Sequence, residues 1–159
     1  MGSTITAQTL KVAINETITL GGVVRNGSTS VNIGSVGAII SGITTVANKA
    51  STENNTILAA FGNAAAAETA VAILPTAVKY VRVTNLDDTN SIYLAFKNGT
   101  AHVFVVEVAA GQSYVTAGTK IDAAGADINT HAPTLEDCTL IDASGNGGAV
   151  DVEYYIATS

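Results

Sequence analysis

From residue 77 onward the chain alternates apolar and polar side chains with a period of two, the period of a pleated strand. In residues 77–84, Val81 and Val83 share a face with Lys79, while Val78, Tyr80 and Arg82 take the other. The Asn-Leu-Asp-Asp-Thr-Asn run at 85–90 then breaks the pattern. Asn and Asp side chains bond their own backbone, so a turn is expected there. Residues 91–96 resume the alternation, and residues 102–108 form their partner across Asn98-Gly99, the pair that favours a type I′ hairpin. Three antiparallel strands in succession are predicted.

The same period governs most of the remaining sequence. Residues 4–20 carry two strand-like stretches, with Leu10, Val12 and Ile14 aligned on one face and Ile18 and Leu20 continuing after Asn15-Glu16, up to Gly21-Gly22. Val23-Val24-Arg25 leads to Asn26-Gly27, read as a further hairpin turn, and residues 28–33 make a short strand beyond it. Residues 36–46 read as one strand in which Gly37 and Gly42 mark bulges or bends. Strands are also expected at 56–61, 112–116 and 138–141. A Gly-rich turn at 142–148 then leads to a closing strand whose Val150, Val152, Tyr154 and Ile156 face the core, opposite Asp151, Glu153 and Tyr155. Residues 62–75 allow either a short helix of alanines capped by Asn63 or an irregular loop. Residues 120–133 lack periodicity and read as a long loop pinned by Ile121 and Ile128. Roughly eight to ten short strands with turns between them predict an all-β fold. It is an antiparallel β-sandwich of jelly-roll or Greek-key type, built as a single domain over residues 1–159.

Composition sharpens this picture. The chain has 159 residues, enough for one sizeable core. Charged residues make up 13%, about half the usual share of roughly 25%. So few charges suit a subunit whose faces are covered in an assembly, or a compact β-domain with a Ser/Thr-rich surface. A net charge of −6 with only seven basic residues argues against a nucleic-acid partner, because phosphate binding needs clustered Lys and Arg. Gly, Asn and Thr interrupt every apolar run before the length of a membrane span, and residues 1–4 lack the pattern of a secretory signal, so no membrane partner and no export are expected. The single Cys138 cannot form an intrachain disulfide, which fits a reducing compartment; a small buried hydrophobe is its expected role.

Candidate chemistry is sparse. Asp142, Ser144 and Asn146-Gly147, followed by Glu153 at the twelfth position, have the oxygen-ligand spacing of a calcium loop. Ser and Asn stand where anionic ligands are usual, and strands rather than helices flank the run, so a hairpin turn with a solvated Glu153 is the preferred reading and no metal is assigned. Asp87 and Asp88 are adjacent and diverge in a turn, which rules them out as an acid and base pair. Asp122 and Asp127 have only Ala and Gly between them. His102 and His131 are the only histidines, and neither has a companion at metal-ligand spacing. Neither a nucleophile elbow nor a phosphate loop occurs, so no enzyme activity and no cofactor are expected.

Residues 80–90 (Tyr-Val-Arg-Val-Thr-Asn-Leu-Asp-Asp-Thr-Asn), then 92–96 (Ile-Tyr-Leu-Ala-Phe) and 108–114 (Val-Ala-Ala-Gly-Gln-Ser-Tyr), resemble small virion structural proteins of tailed bacteriophages, those of marine and cyanobacterial phages in particular. The opening at 10–22 and the closing at 152–159 resemble the first and last strands of that group, whereas 62–75 has no counterpart in it. The resemblance implies a β-sandwich decoration or cement protein on the outer capsid surface, assembled in the host cytoplasm. Its implied partners are the major capsid protein and copies of itself, as a trimer. Partner contacts are assigned to the amino-terminal arm, residues 1–10, through Thr4, Ile5, Thr6 and Leu10, and to the loop 120–133 through Ile121, Ile128 and His131. Two alternatives stay open: a tail or fibre-attachment protein, and a carbohydrate-binding module.

Overall fold

The computed structural model describes residues 7–49, 55–61, 73, 77–99, 101–117, 138 and 140–159. Ten strands lie in this set: β1 (Gln8–Leu20), β2 (Val23–Val36), β3 (Ala38–Val46), β4 (Thr56–Ala60), β5 (Val78–Asn85), β6 (Ser91–Asn98), β7 (Ala101–Val108), β8 (Ser113–Ala117), β9 (Leu140–Asn146) and β10 (Val150–Thr158). Eight of them form two four-stranded antiparallel sheets, ordered β3-β10-β5-β8 and β4-β9-β6-β7, while β1 and β2 form a separate two-stranded ribbon.

Alternation explains why the two larger sheets close on each other. Val81 and Val83 of β5, with Val150, Val152 and Ile156 of β10, point from the first sheet into one core with Ile92, Leu94 and Phe96 of β6 and Ile141 and Ala143 of β9. Phe96 stacks on Phe104 at 4.4 Å between ring centroids and meets Tyr114 of the opposite sheet at 5.5 Å. The result is an antiparallel β-sandwich. Its strands pair as nested couples, β6 with β7, β5 with β8, β4 with β9 and β3 with β10. The chain from β3 to β10 is thus one doubled ribbon whose successive couples fall in alternate sheets.

The turn between β5 and β6 is held by the two groups of residues that broke the alternation. Buried Asn85 donates through Nδ2 to the carbonyls of Asn90 and Val108 and accepts from the Asp87 amide. The Asp87 carboxylate accepts from the backbone N–H groups of Asn90 and Thr89, which hold its pKa below the usual value.

Several local expectations are corrected. Residues 8–20 are one continuous strand rather than two stretches. Asn26-Gly27 is no turn; both residues lie within β2, opposite Thr17 and Glu16, and the chain reverses at Gly21-Gly22. There φ is +56° and +81°, the left-handed pair that a type I′ turn needs and that glycine adopts without strain. Residues 36–46 are split at Gly37, where an added Cβ would come within 3.2 Å of the Ser159 backbone. Gly42 is not a bulge: it keeps regular register opposite Tyr154 and leaves room for that ring, whose hydroxyl an added Cβ would approach to 2.8 Å. The turn expected at 142–148 is mostly strand, since β9 runs on to Asn146. A register shift between Tyr80 and Val78 places Val78, not Lys79, against the core. The reversal after β6 comes where expected, with Gly99 at positive φ but not Asn98. The ambiguous segment 62–75, apart from Ile73, and the loop 120–133 lie outside the described residues.

Candidate functional site

The ribbon of β1 and β2 is the feature that a self-sufficient sandwich does not require. Its register sets Leu10, Val12, Ile14, Glu16, Ile18 and Leu20 on one face with Ile33, Val31, Thr29, Gly27, Arg25 and Val23. The other face carries Lys11, Asn15, Thr17 and Thr19 with Asn32, Ser30, Ser28 and Asn26, Val24 being its one large apolar residue. The hairpin is therefore amphipathic, with an apolar stripe along one side.

Only the root of that stripe is covered. Ile33 and Val36 are buried with Tyr80 and Ala157 of the sandwich, and Leu10, Val12 and Tyr155 pack around them. Beyond the root, Ile14, Ile18, Leu20, Val23 and Val31 are between 43% and 58% exposed. Each forgoes on the order of 1 kcal/mol of hydrophobic stabilisation by staying half in water. A two-stranded ribbon is at best marginally stable alone, and among the described residues no third strand pairs with either of its edges. Such an arm is a surface for contact.

The arm joins the body through a strained link. Ser35 sits at φ +59°, a left-handed conformation uncommon outside glycine, beside the register shift that sets Gln8 opposite Val36 and Leu10 opposite Ile33. Where the root meets the body a cavity of about 260 Å³ opens between Leu10, Val12, Tyr80, Arg82 and Tyr155. Arg82 pairs there with Glu153, and its guanidinium lies 5.9 Å from the centroid of the Tyr155 ring. The Tyr80 phenol is raised in pKa by burial.

The residues singled out for calcium are not brought together. Asp142, Ser144 and Asn146 alternate along β9 in one sheet, and Glu153 lies on β10 in the other, committed to Arg82. Asp142 is buried and paired with Lys97 at 3.1 Å, a cation already in the place of a metal. Its Oδ1 and the Ser144 hydroxyl have no hydrogen-bond partner. Asn146 donates to Ser91 and Tyr93. Among the described residues no three His, Cys, Asp or Glu side chains converge as metal ligands.

The Cys138 thiol is buried, donates to the Leu140 carbonyl and is pushed up to about 11 by desolvation, so it is protonated and inert near neutral pH. Of the residues assigned to partner contact, Leu10 lies at the arm root, half-buried against its own body. Thr4, Ile5, Thr6, Ile121, Ile128 and His131 lie outside the described residues, as do Asp122 and Asp127. His102 falls on β7. The outer arm was missed as a site, although the alternation of 10–20 with 23–33 carried its amphipathic signature.

Comparison of the chain with protein-family models, with curated proteins and with solved structures finds no match.

Proposed function

We propose that this chain is a structural subunit of a bacteriophage particle, a decoration or cement protein that reinforces the capsid shell by bridging capsomers. Its partners in this reading are the major capsid protein and further copies of itself, and its place is the outer surface of the virion. The observation that carries the reading is the arm, an apolar strand face that extends from the sandwich and stays about half exposed beyond its root. Binding partners by such a face needs no catalytic group. The reading takes the nested couples of the body as a jelly roll, a fold common in viral capsid proteins and also in lectins. Fold alone does not specify function, so the low charge and the resemblance of the strand sequences are the further support. Many weak contacts repeated over a shell hold firmly, because attachment at one seam raises the effective concentration at the next.

The test is reconstitution. Purified protein is mixed with phage shells that lack decoration, and bound copies per shell and shell survival on heating are measured. Saturable binding at a fixed number of copies per capsomer junction, with a raised disruption temperature, is the expected outcome. Binding confined to tails would move the protein to the tail or fibre attachment. Absence of particle binding together with glycan-array binding would overturn the reading in favour of a carbohydrate-binding module.

A further inference from the structure

We infer that the apolar face of the arm is a self-association surface, covered in the assembled state by the same face of a second copy of this chain across a two-fold axis. The inference rests on the reading of the chain as an assembling subunit and names the partner of its exposed arm.

Charge is the first argument. Only two charged side chains interrupt the stripe, Glu16 and Arg25, one of each sign. Among the described residues neither makes an ion pair: the two salt bridges there are Arg82 with Glu153 and Lys97 with Asp142. Glu16 lies across Gly27, where an added Cβ would come within 2.9 Å of its carboxylate, so the absence of a side chain at 27 lets the acid lie over the face. An isologous interface must be complementary to itself. One acid and one base on an otherwise uncharged strip meet that condition, since a two-fold axis between them sets Glu16 of each copy against Arg25 of the other. A partner of strong single-sign charge would leave one of the two facing its like.

Continuity is the second. The inner part of the stripe, Leu10, Val12 and Ile33, already packs against the body, and Ile14, Ile18 and Leu20 continue the same face outward in register. The polar face, rich in Asn, Ser and Thr, suits the solvent side of the paired arms. The free stripe over residues 13–20 is about 27 Å long at roughly 3.4 Å per residue. That places the contact at the small, reversible end of interfaces, below the roughly 1,200 Å² of stable complexes, so association is concentration-dependent.

Sedimentation velocity of the purified full-length chain, from low to high micromolar concentration, tests this. The expected result is reversible self-association that Ile18→Ser with Leu20→Ser weakens by about a hundredfold, as removal of central apolar anchors does. Both positions are exposed, so the variant keeps the circular dichroism and melting temperature of the parent. Glu16→Arg alone and Arg25→Glu alone each weaken association by about tenfold, because each sets like charges face to face. An equimolar mixture of these two variants restores it, since every two-fold contact then pairs opposite charges. A parent chain that stays monomeric, association indifferent to Ile18→Ser with Leu20→Ser, or a mixture that fails to recover would each overturn the inference. A monomer that still decorates shells would overturn it while leaving the proposed function intact; self-association without shell binding would do the reverse.

Discussion

At the scale of single residues, the chain places its few polar commitments where each fixes one conformation. Asn85 is fully buried and satisfies two carbonyls and one amide around the β5–β6 turn. Asn85→Ala is expected to cost about 2–3 kcal/mol, because the buried carbonyls lose their donor without regaining water; urea denaturation should show a lower midpoint at unchanged slope. Cys138 gives a pH signature. Its folded pKa of about 11 lies above the ordinary thiol value of 9.0, so the fold binds this proton more tightly than the unfolded chain does. The resulting stabilisation is complete below pH 9 and is lost as pH rises toward 11. Cys138→Ala should flatten that alkaline decline, and the native thiol should resist alkylation at pH 8 until denaturant is added. Gly145 is the most tightly enclosed of the described glycines: a Cβ there would stand 2.2 Å from the Gly148 carbonyl oxygen and 3.3 Å from that of Ala47. Both neighbours are backbone and cannot swing aside, so Gly145→Ala should lower stability by about 1–3 kcal/mol in thermal or chemical melts.

At the scale of elements, the arm and the sandwich differ in what stabilises them. Among the described residues, the amides of 13–31 have only each other's strand for support, so their hydrogen exchange should be faster by orders of magnitude than that of β5, β6 or β10, and limited proteolysis should cut near Gly21-Gly22 before the sandwich strands. If the arms pair, both signals should be suppressed as protein concentration rises. How far these elements were legible depends on what each pattern encodes. Alternation in residues 150–156 gave strand, face and core membership together, and in 80–84 and 91–96 it gave strand, because those strands are buried on one face. Asn26-Gly27 misled because turn propensity is local, whereas the choice between it and Gly21-Gly22 was made by cross-strand pairing along the whole of β1 and β2. Val78 was set on the wrong face because a register shift carries no composition signal of its own. The arm's stripe was visible as Leu10, Val12, Ile14, Ile18 and Leu20 on one side. Alternation tells which side is apolar but not what lies against it, so the exposure of the outer half was not legible.

At the scale of the whole molecule, the nested couples impose an order of events. β6 and β7 are neighbours in sequence, whereas Val46 pairs with Val150 across the entire body. Closing short loops costs less entropy than closing long ones, so the inner hairpin should organise early and the outer couple last. Kinetic analysis should give φ-values of about 0.5–0.8 for Leu94 and Phe104 and below about 0.3 for Val46 and Ile156. Equal values along the ribbon would refute that order. The same wiring has a consequence during synthesis. The seat of the arm includes Ala157 of β10, whereas the arm itself is β1 and β2. Until β10 has been made, its greasy side therefore hangs without even its intramolecular foothold, next to identical arms on neighbouring ribosomes of the same messenger. Dependence on a chaperone that shields nascent chains, relieved by Ile18→Ser with Leu20→Ser, is what this wiring entails inside a cell.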